Sequence, residues 1–319
     1  MNFIKILHLP VAIFGHARAH GMVCGGSTPT YYVPEELVPK LEKARELFSD
    51  IDATCRDDLE SQGLKREKGL LNMNIVPIQA GCEVELKQSK VYNGIRYYLR
   101  PFHVSHCGHP ALGYNLISRT VKKKLKEEYQ GLEGKELGKL ARSGVTLYTT
   151  DIIEKIEACY SGDTNIDGLI LNNEDGTDTS TASRNRQELE YGFKAPLIMC
   201  ELTYLLESER ELAKTRGHIN LFDIQPILDS HKWGITEDDN DQSDQSGKKI
   251  VFYHLSSRGK TAKNILKSLA AVLPKNVADV TEVALASFPT ETTSPMLKDN
   301  GCISISDHMN FSYEKKSSK

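Results

Sequence analysis

A carboxylate follows a short apolar segment near the middle of the chain. Residues 157–164 read Glu-Ala-Cys-Tyr-Ser-Gly-Asp-Thr, which predicts a short buried strand that stops at Ser161 and Gly162. Glycine allows the backbone to turn sharply there, so Asp163 is left at the rim of a sheet. A carboxylate in that position is a hard anionic ligand suited to bridging metal ions, whereas an Asp in a turn is also common for purely structural reasons.

Three histidines lie close together upstream, at the end of another predicted strand. A turn signal precedes the long strand predicted over residues 95–104, and His103, His106 and His109 fall within seven residues at its end. Imidazole is a common zinc ligand, and clusters of it favour metal binding. The alternative is a histidine-rich loop that binds no metal.

Three further polar residues stand where predicted elements begin or end. Glu201 closes an apolar segment, His218 directly follows a glycine, and His254 lies near the end of the strand predicted over residues 249–255. Each has an ordinary structural explanation, as a solvated edge residue, a helix-start histidine or a hydrogen-bonded core histidine. Their joint occurrence in one order along the chain is what favours a functional site.

In this order the motifs resemble those of the ribonuclease Z (tRNase Z) family, the tRNA 3′-processing endonucleases of the metallo-β-lactamase superfamily. The resemblance fits the short form of plants and related eukaryotes and runs from about Ala12 to about Phe288. It is carried by residues 102–114, 124–137, 143–145, 157–164, 200–204, 217–220 and 252–258. It implies an α/β fold, the αββα sandwich of that superfamily, in an N-terminally incomplete domain over residues 1–288.

The resemblance also implies a zinc site. In the family two zinc ions share a bridging Asp and a hydroxide that attacks the phosphodiester. Asp163 matches the bridging residue, and His254 matches a ligand of the second metal. His106 matches the ligand of the first metal that the family has in its histidine motif, and His103 is the alternative for that position.

The remaining matches concern proton transfer and substrate binding. Glu201 and His218 match a carboxylate–histidine pair, in which the acid orients the imidazole so that it can protonate the leaving 3′ oxygen. Arg258 lies four residues after His254 and is expected to hold the substrate phosphate.

Four lysines precede a short predicted helix over residues 134–143. Lys122, Lys123, Lys124 and Lys126 form this basic cluster. In the family the equivalent segment, about residues 118–146 here, protrudes and grips the body of tRNA, so the resemblance implies precursor tRNA as the partner. Phosphate contacts need Lys and Arg on a reachable element, although a solvated charged face has the same composition.

One departure from the family pattern concerns the main metal signature. The motif H-x-H-x-D-H is absent from the sequence, and His8, His16 and His20 do not reproduce its spacing. One metal would keep only His106 and Asp163, and the other only Asp163 and His254, whereas catalytic zinc has three protein ligands. We therefore expect weak or no nuclease activity. The alternative is a non-catalytic tRNA-binding protein or partner subunit of the same fold.

Composition places limits on the class of protein. The chain has 319 residues, of which 39% are hydrophobic and 26% charged, with a net charge of −3. It therefore has no global basic field, and RNA binding must come from a local patch. Its seven cysteines form no C-x-x-C pair, which favours reduced thiols and an intracellular location, cytoplasmic or nuclear. No apolar segment is long enough to predict a membrane span.

Two polar stretches and the C-terminus predict little regular structure. Residues 165–194 and 236–247 are rich in small polar or acidic side chains and are expected to be disordered insertions. Residues 289–319 are expected to form a mobile tail. Without the first strands of the family fold, an open strand edge and apolar surface would remain, so we expect a homodimer or aggregation.

Overall fold

The chain forms two compact units, residues 1–79 and 80–319. The computed structural model describes residues 28–54, 73–86, 94–107, 109–169, 180–228, 248–255, 262–284 and 302–305. The strands of the first unit pair with each other in a two-stranded sheet, and the domain over residues 1–288 stays a prediction.

The described residues of the first unit form a parallel pair of strands and one helix. Strands β1 (Thr30–Pro34) and β2 (Asn74–Ile78) pair in parallel, and helix α1 (Val38–Thr54) follows β1 after a single 3₁₀ turn. Pro39 is tolerated at the start of this helix because N–H groups of the first turn have no partner within the helix, so the N–H that proline lacks costs no hydrogen bond. Val33, Leu41 and Met73 form the buried cluster of this unit.

The second unit is built on an eight-stranded mixed sheet, which confirms the predicted α/β class. Its strands lie side by side in chain order. Strands β3 to β6 are antiparallel, β6 to β9 are parallel, and β10 is antiparallel to β9. They are β3 (Val84–Glu85), β4 (Ile95–His106), β5 (His109–Leu125), β6 (Tyr148–Tyr160), β7 (Leu197–Glu201), β8 (Lys249–Tyr253), β9 (Thr281–Ala284) and β10 (Cys302–Ser304).

The described part of this unit has six helices, α2 (Gly134–Arg142), α3 (Ser180–Gly192), α4 (Arg210–Thr215), α5 (Leu221–Leu228), α6 (Ala262–Val272) and α7 (Lys275–Asp279). Four of them, α3, α5, α6 and α7, contribute side chains to the buried apolar core. Alternate residues of the parallel strands, such as Ile198 and Phe252, are buried against apolar side chains of α3, α5 and α6. Burial of this one face fixes the register of the strands, because a shift by one residue would turn the apolar set outward.

Two predicted disordered segments contain regular structure. Helix α3 lies within residues 165–194, and strand β10 lies within the predicted tail. Leu189 and Phe193 are buried, and Asn185 accepts the backbone N–H of His103 at 2.6 Å and donates to its carbonyl. Composition missed α3 because a few apolar contacts made in the fold stabilise a helix of low intrinsic propensity. Residues 236–247 lie outside the described residues.

Strands β5 and β6 extend as a long two-stranded arm. Their pairing continues to Leu125 opposite Tyr148, and residues 126–147 connect them through a 3₁₀ turn and α2, a helix with no buried residue. This region coincides with the predicted arm at residues 118–146. Helix α2 is closed at its start by a capping box between Glu133 and Glu136.

Candidate functional site

The site lies where parallel strands end. Strands β6, β7 and β8 run in the same direction and finish at Tyr160, Glu201 and Tyr253. The carboxyl ends of parallel strands meet at one edge of a sheet, and the loops that follow them are the usual ligand-binding positions in open α/β sheets. Asp163 and His254 lie in two of these loops.

Glu201 is the centre of a hydrogen-bond network. Its side chain is fully buried; Oε2 accepts the backbone N–H of Thr164 at 2.5 Å, and Oε1 accepts the Thr203 hydroxyl at 2.7 Å. His218 Nδ1 also hydrogen-bonds to Oε1. Burial alone would raise the pKa of the Glu201 carboxyl, but interactions with His218, His254 and Thr203 outweigh it and lower the pKa to about 2. Glu201 is therefore a buried carboxylate surrounded by donors.

His218 is placed beside Glu201 by a short backbone pairing. The N–H groups of Thr203 and Tyr204 both donate to the carbonyl of Ile219, and the N–H of Leu221 donates to Tyr204. This pairing holds the segment after β7 against the segment that carries His218. The imidazole is buried and its Nδ1 faces the carboxylate, so the neutral ring keeps its lone pair on Nε2.

His106 reaches the same place from the end of β4. Its Nδ1 lies 2.8 Å from the carbonyl oxygen of Gly217. A carbonyl can only accept, so Nδ1 carries the proton and Nε2 carries the lone pair of the neutral ring. The ring centroids of His106 and His218 are 4.8 Å apart. The His103 side chain is exposed, and nothing is described of the His109 side chain.

The tip of the β4–β5 hairpin is docked against the turn that precedes His218. Cys107 donates its thiol to the carbonyl of Arg216 at 2.8 Å, next to the His106–Gly217 hydrogen bond. Gly217 has a φ of 63°, and a Cβ added there would lie 2.1 Å from the Cys107 nitrogen. Glycine is required at this contact both for its backbone conformation and for lack of space.

His254 completes the cluster from the end of β8. Its side chain is 33% exposed, its ring centroid lies 5.0 Å from that of His218, and its Nδ1 lies 2.8 Å from Thr203 Oγ1. The residue has a φ of 64°, which is unusual for a non-glycine residue. Thr203 was not singled out by the sequence analysis. The available signal was its spacing of two from Glu201, which places both side chains on one side of an extended segment.

Asp163 lies in the turn that joins β6 to this cluster. Gly162 has a φ of 67°, and a Cβ there would lie 2.5 Å from the carbonyl oxygen of Leu112. The turn is fixed to the end of β4, because the Thr164 hydroxyl donates to the Ser105 carbonyl at 3.1 Å. The half-buried Asp163 carboxylate thus stands one residue from the amide that binds Glu201.

Curated proteins resemble this chain in sequence. A chloroplastic tRNase Z of Arabidopsis thaliana is 30% identical over 59% of the chain and 42% of its own length. A second tRNase Z of Arabidopsis thaliana is 26% identical over 77% of the chain and 68% of its own length. The nuclear ribonuclease Z of Triticum aestivum is 30% identical over 38% of the chain and 55% of its own length. The chain is thus similar in sequence to ribonuclease Z (tRNase Z) proteins. No model of a known protein family matches it.

The chain spans about half the length of the relatives it matches, from 42% to 68%. Within its described residues, no helix is both long and apolar enough to cross a membrane. Two of the relatives are named for different compartments, the chloroplast and the nucleus.

The donor set of this ribonuclease Z relative fits a metal ion. Among the described residues Glu201, His218 and His254 place possible ligand atoms within 4.8 Å of one another. His106 and His218 have Nδ1 against a carbonyl or carboxylate oxygen, which leaves the metal-binding lone pair of the neutral ring on Nε2, and His254 has Nδ1 against the Thr203 hydroxyl. Because Glu201 already accepts several hydrogen bonds, it is better suited to orient the imidazoles than to coordinate. A bound zinc ion would supply a Lewis acid and a water of lowered pKa.

The predicted lysine cluster lies far along β5 from the hairpin tip. Lys122, Lys123 and Lys124 are exposed, about 40–50 Å along the strand from the tip at 3.3 Å per residue. Lys126 follows the strand and is half-buried beside Glu128. Arg258 lies outside the described residues.

Proposed function

We propose that this chain is a tRNA 3′-processing endoribonuclease-like protein that removes the 3′ trailer of precursor tRNA by zinc-dependent phosphodiester hydrolysis. The observation that carries the proposal is the cluster of His106, His218 and His254 around buried Glu201, with each Nδ1 directed to an oxygen. The names of the relatives, tRNase Z and ribonuclease Z, support a ribonuclease that acts on tRNA, and the 3′ trailer and the use of zinc are part of the proposal. The metallo-β-lactamase sandwich is the fold that goes with this proposal.

The residues have separate roles in the proposed reaction. His106, Asp163 and His254 hold zinc, and up to two ions are bound at such sites. His218 donates a proton to the leaving 3′ oxygen, while buried Glu201 favours its protonated form and fixes its orientation. Arg258 binds the phosphate.

The arm is the proposed tRNA contact. Lys122, Lys123 and Lys124 are exposed, and α2 adds Lys135, Lys139 and Arg142 at helical spacing on one face. Basic side chains on an extended element can reach the phosphates of a bound RNA. They also provide a local positive charge on a protein whose net charge is negative. We also infer that the chain associates into a homodimer, and sedimentation velocity would measure this. We further infer an intracellular location.

A second candidate function is a non-catalytic tRNA-binding or partner subunit. The sequence observation that favours it is the absence of H-x-H-x-D-H, which leaves each proposed metal with two of the protein ligands that the family supplies. Weak zinc binding and weak or absent cleavage are therefore expected from this chain on its own.

The decisive experiment measures zinc, cleavage and RNA binding together. The 319-residue chain is purified without chelators, and zinc per chain is determined beside cleavage of a precursor tRNA with a 3′ trailer. We expect fewer zinc ions per chain than the roughly two of a two-metal site. This zinc should be lost in Asp163→Ala. It should remain in Asp167→Ala, which removes an exposed carboxylate four residues away.

Each result has a distinct meaning. Slow cleavage that disappears in Asp163→Ala supports the enzyme. Binding of precursor tRNA without zinc or cleavage supports the non-catalytic subunit. A chain that neither binds nor cleaves precursor tRNA overturns both.

A further inference from the structure

A buried hydroxyl connects the acid of the site to one of its histidines. Thr203 is 6% exposed, and its Oγ1 lies 2.7 Å from Glu201 Oε1 and 2.8 Å from His254 Nδ1. His254 Nδ1 is farther from the carboxylate itself, at 3.6 Å. The hydroxyl is therefore the nearer partner of the imidazole and lies between the two groups.

Counting protons fixes the direction of both hydrogen bonds. The Glu201 carboxylate also faces the Thr164 amide and His218 Nδ1 and is a pure acceptor when ionised. A hydroxyl has one proton, and Thr203 gives it to Glu201 because the carboxylate has none to return. The bond to His254 must then run the other way, from Nδ1–H to Thr203 Oγ1.

We propose that Thr203 is a positioning residue that selects the Nδ1–H tautomer of His254 and points its Nε2 lone pair at the metal position. The inference rests on the zinc role in the proposed function. His254 needs such a partner because its backbone is in the left-handed region and its ring is partly exposed. Without the hydroxyl the ring is free to change tautomer or rotate, and Nε2 is no longer held in place.

The consequence is a loss of zinc affinity. Loss of the hydrogen-bond partner of a metal-binding histidine typically weakens metal binding about 10–100-fold. We expect this loss in Thr203→Val, which keeps the shape and removes the hydroxyl. Thr203→Ser keeps the hydroxyl and should bind zinc within about threefold of the unchanged chain, since the same outer hydrogen bond remains.

The first measurement is made without metal. In the metal-free chain with ¹⁵N-labelled histidine, the nitrogen shifts of His254 report which ring nitrogen carries the proton. We expect Nδ1–H in the unchanged chain and in Thr203→Ser, and a mixture with Nε2–H in Thr203→Val. The His254 signals are assigned by their loss in His254→Gln.

The second measurement is zinc affinity, by competition with a chromophoric chelator. The matched control is Thr281→Val, which removes another fully buried hydroxyl, hydrogen-bonded to the carbonyl of Val277 at 2.6 Å, on strand β9. It should cost stability through the lost hydrogen bond but leave zinc affinity and the His254 tautomer unchanged. A structural effect of any buried hydroxyl would affect both variants.

The two measurements separate failure of this inference from failure of the proposed function. An unchanged His254 tautomer in Thr203→Val overturns the inference, as does Thr203→Ser binding zinc as weakly as Thr203→Val. If the unchanged chain binds no zinc, the proposed zinc-binding role of His254 is wrong, and so is the predicted effect of Thr203→Val on zinc affinity. The tautomer of His254 then still decides whether Thr203 positions the ring.

Discussion

At the scale of single residues, the site depends on one backbone contact between two loops. His106 and Cys107 at the hairpin tip are hydrogen-bonded to the carbonyls of Gly217 and Arg216. The same turn leads directly into His218, so this contact helps to position two imidazoles. Gly217 makes this possible because it adopts a positive φ and has no Cβ.

Replacing this glycine should damage the site more than an ordinary loop substitution. Gly217→Ala adds a Cβ that would lie 2.1 Å from the Cys107 nitrogen, whereas Gly144, with a φ of 84°, has no atom within 4 Å of its added Cβ. We expect Gly144→Ala to cost about 1 kcal/mol from its backbone conformation alone, and Gly217→Ala to cost roughly 3 kcal/mol or more.

The free energy of unfolding in urea measures this difference. Equal losses of unfolding free energy in Gly217→Ala and Gly144→Ala would show that the hairpin tip moves away from the added Cβ at no energetic cost. The contact would then not fix the position of His106. A loss confined to Gly217→Ala agrees with the close approach of the two loops.

At the scale of elements, the arm distributes its lysines over two faces. Consecutive residues of a strand alternate between faces, so Lys122 and Lys124 share one face and Lys123 lies on the other. Lys122 is paired with Asp151, and Lys124 with Thr149. The other face carries Val121 opposite Ile152, two exposed apolar side chains. The four-lysine cluster of the sequence is thus not one basic patch.

This alternation predicts unequal contributions to tRNA binding. We assume that the RNA phosphates contact the face of Lys122 and Lys124. Substituting both lysines with Ala should then reduce the slope of log affinity against log salt by about two released counter-ions. Lys123→Ala should leave that slope unchanged. Affinity for precursor tRNA, measured between low and moderate salt, tests this. An equal effect of Lys123→Ala would mean that the RNA does not distinguish the faces.

At the scale of the whole second unit, a charged network connects the antiparallel half of the sheet to α3. Arg119 forms ion pairs with Glu83 at 2.7 Å and with Glu154 at 2.8 Å, and Arg100 reaches both acids and Glu188 of α3. The guanidinium of Arg119 also lies over the ring of Tyr98. Residues from four strand regions and one helix are thereby held together on one face.

The network gives stability a definite dependence on pH. Burial by itself raises the pKa of Glu83, but hydrogen bonds and charges of Arg119 and Arg100 outweigh it and lower the pKa below its ordinary value of 4.5. A lowered folded-state pKa stabilises the fold above the unfolded-state pKa, and that stabilisation is lost as the pH falls below about 4.5. We expect Glu83→Gln to lose up to about 1 kcal/mol at pH 7 and less at pH 3.

The matched control for this prediction is Glu85→Gln. Glu85 contacts Arg96 at 3.6 Å on an exposed part of the neighbouring strands. Urea unfolding of the three chains at pH 7 and pH 3 gives the comparison. An effect of Glu83→Gln that is the same at both pH values would show that ionisation of this carboxyl does not contribute.

The sequence by itself determined the order of the motifs, and with it the resemblance to ribonuclease Z proteins. Asp163, Glu201, His218 and His254 could be identified because each follows an apolar segment or a glycine, and such local patterns are readable along the chain. The α/β class could be predicted for the same reason, whereas the protruding arm at residues 118–146 was expected from the resemblance and stays a prediction.

Only the tertiary structure decided which of these side chains meet. It placed His106, and not His103, beside His218; it revealed Thr203; and it divided the lysines between two faces. It also formed α3 in a segment of polar composition. These features depend on hydrogen bonds and close approaches between residues far apart in the chain, such as His106 and Gly217, and local sequence patterns do not contain that information.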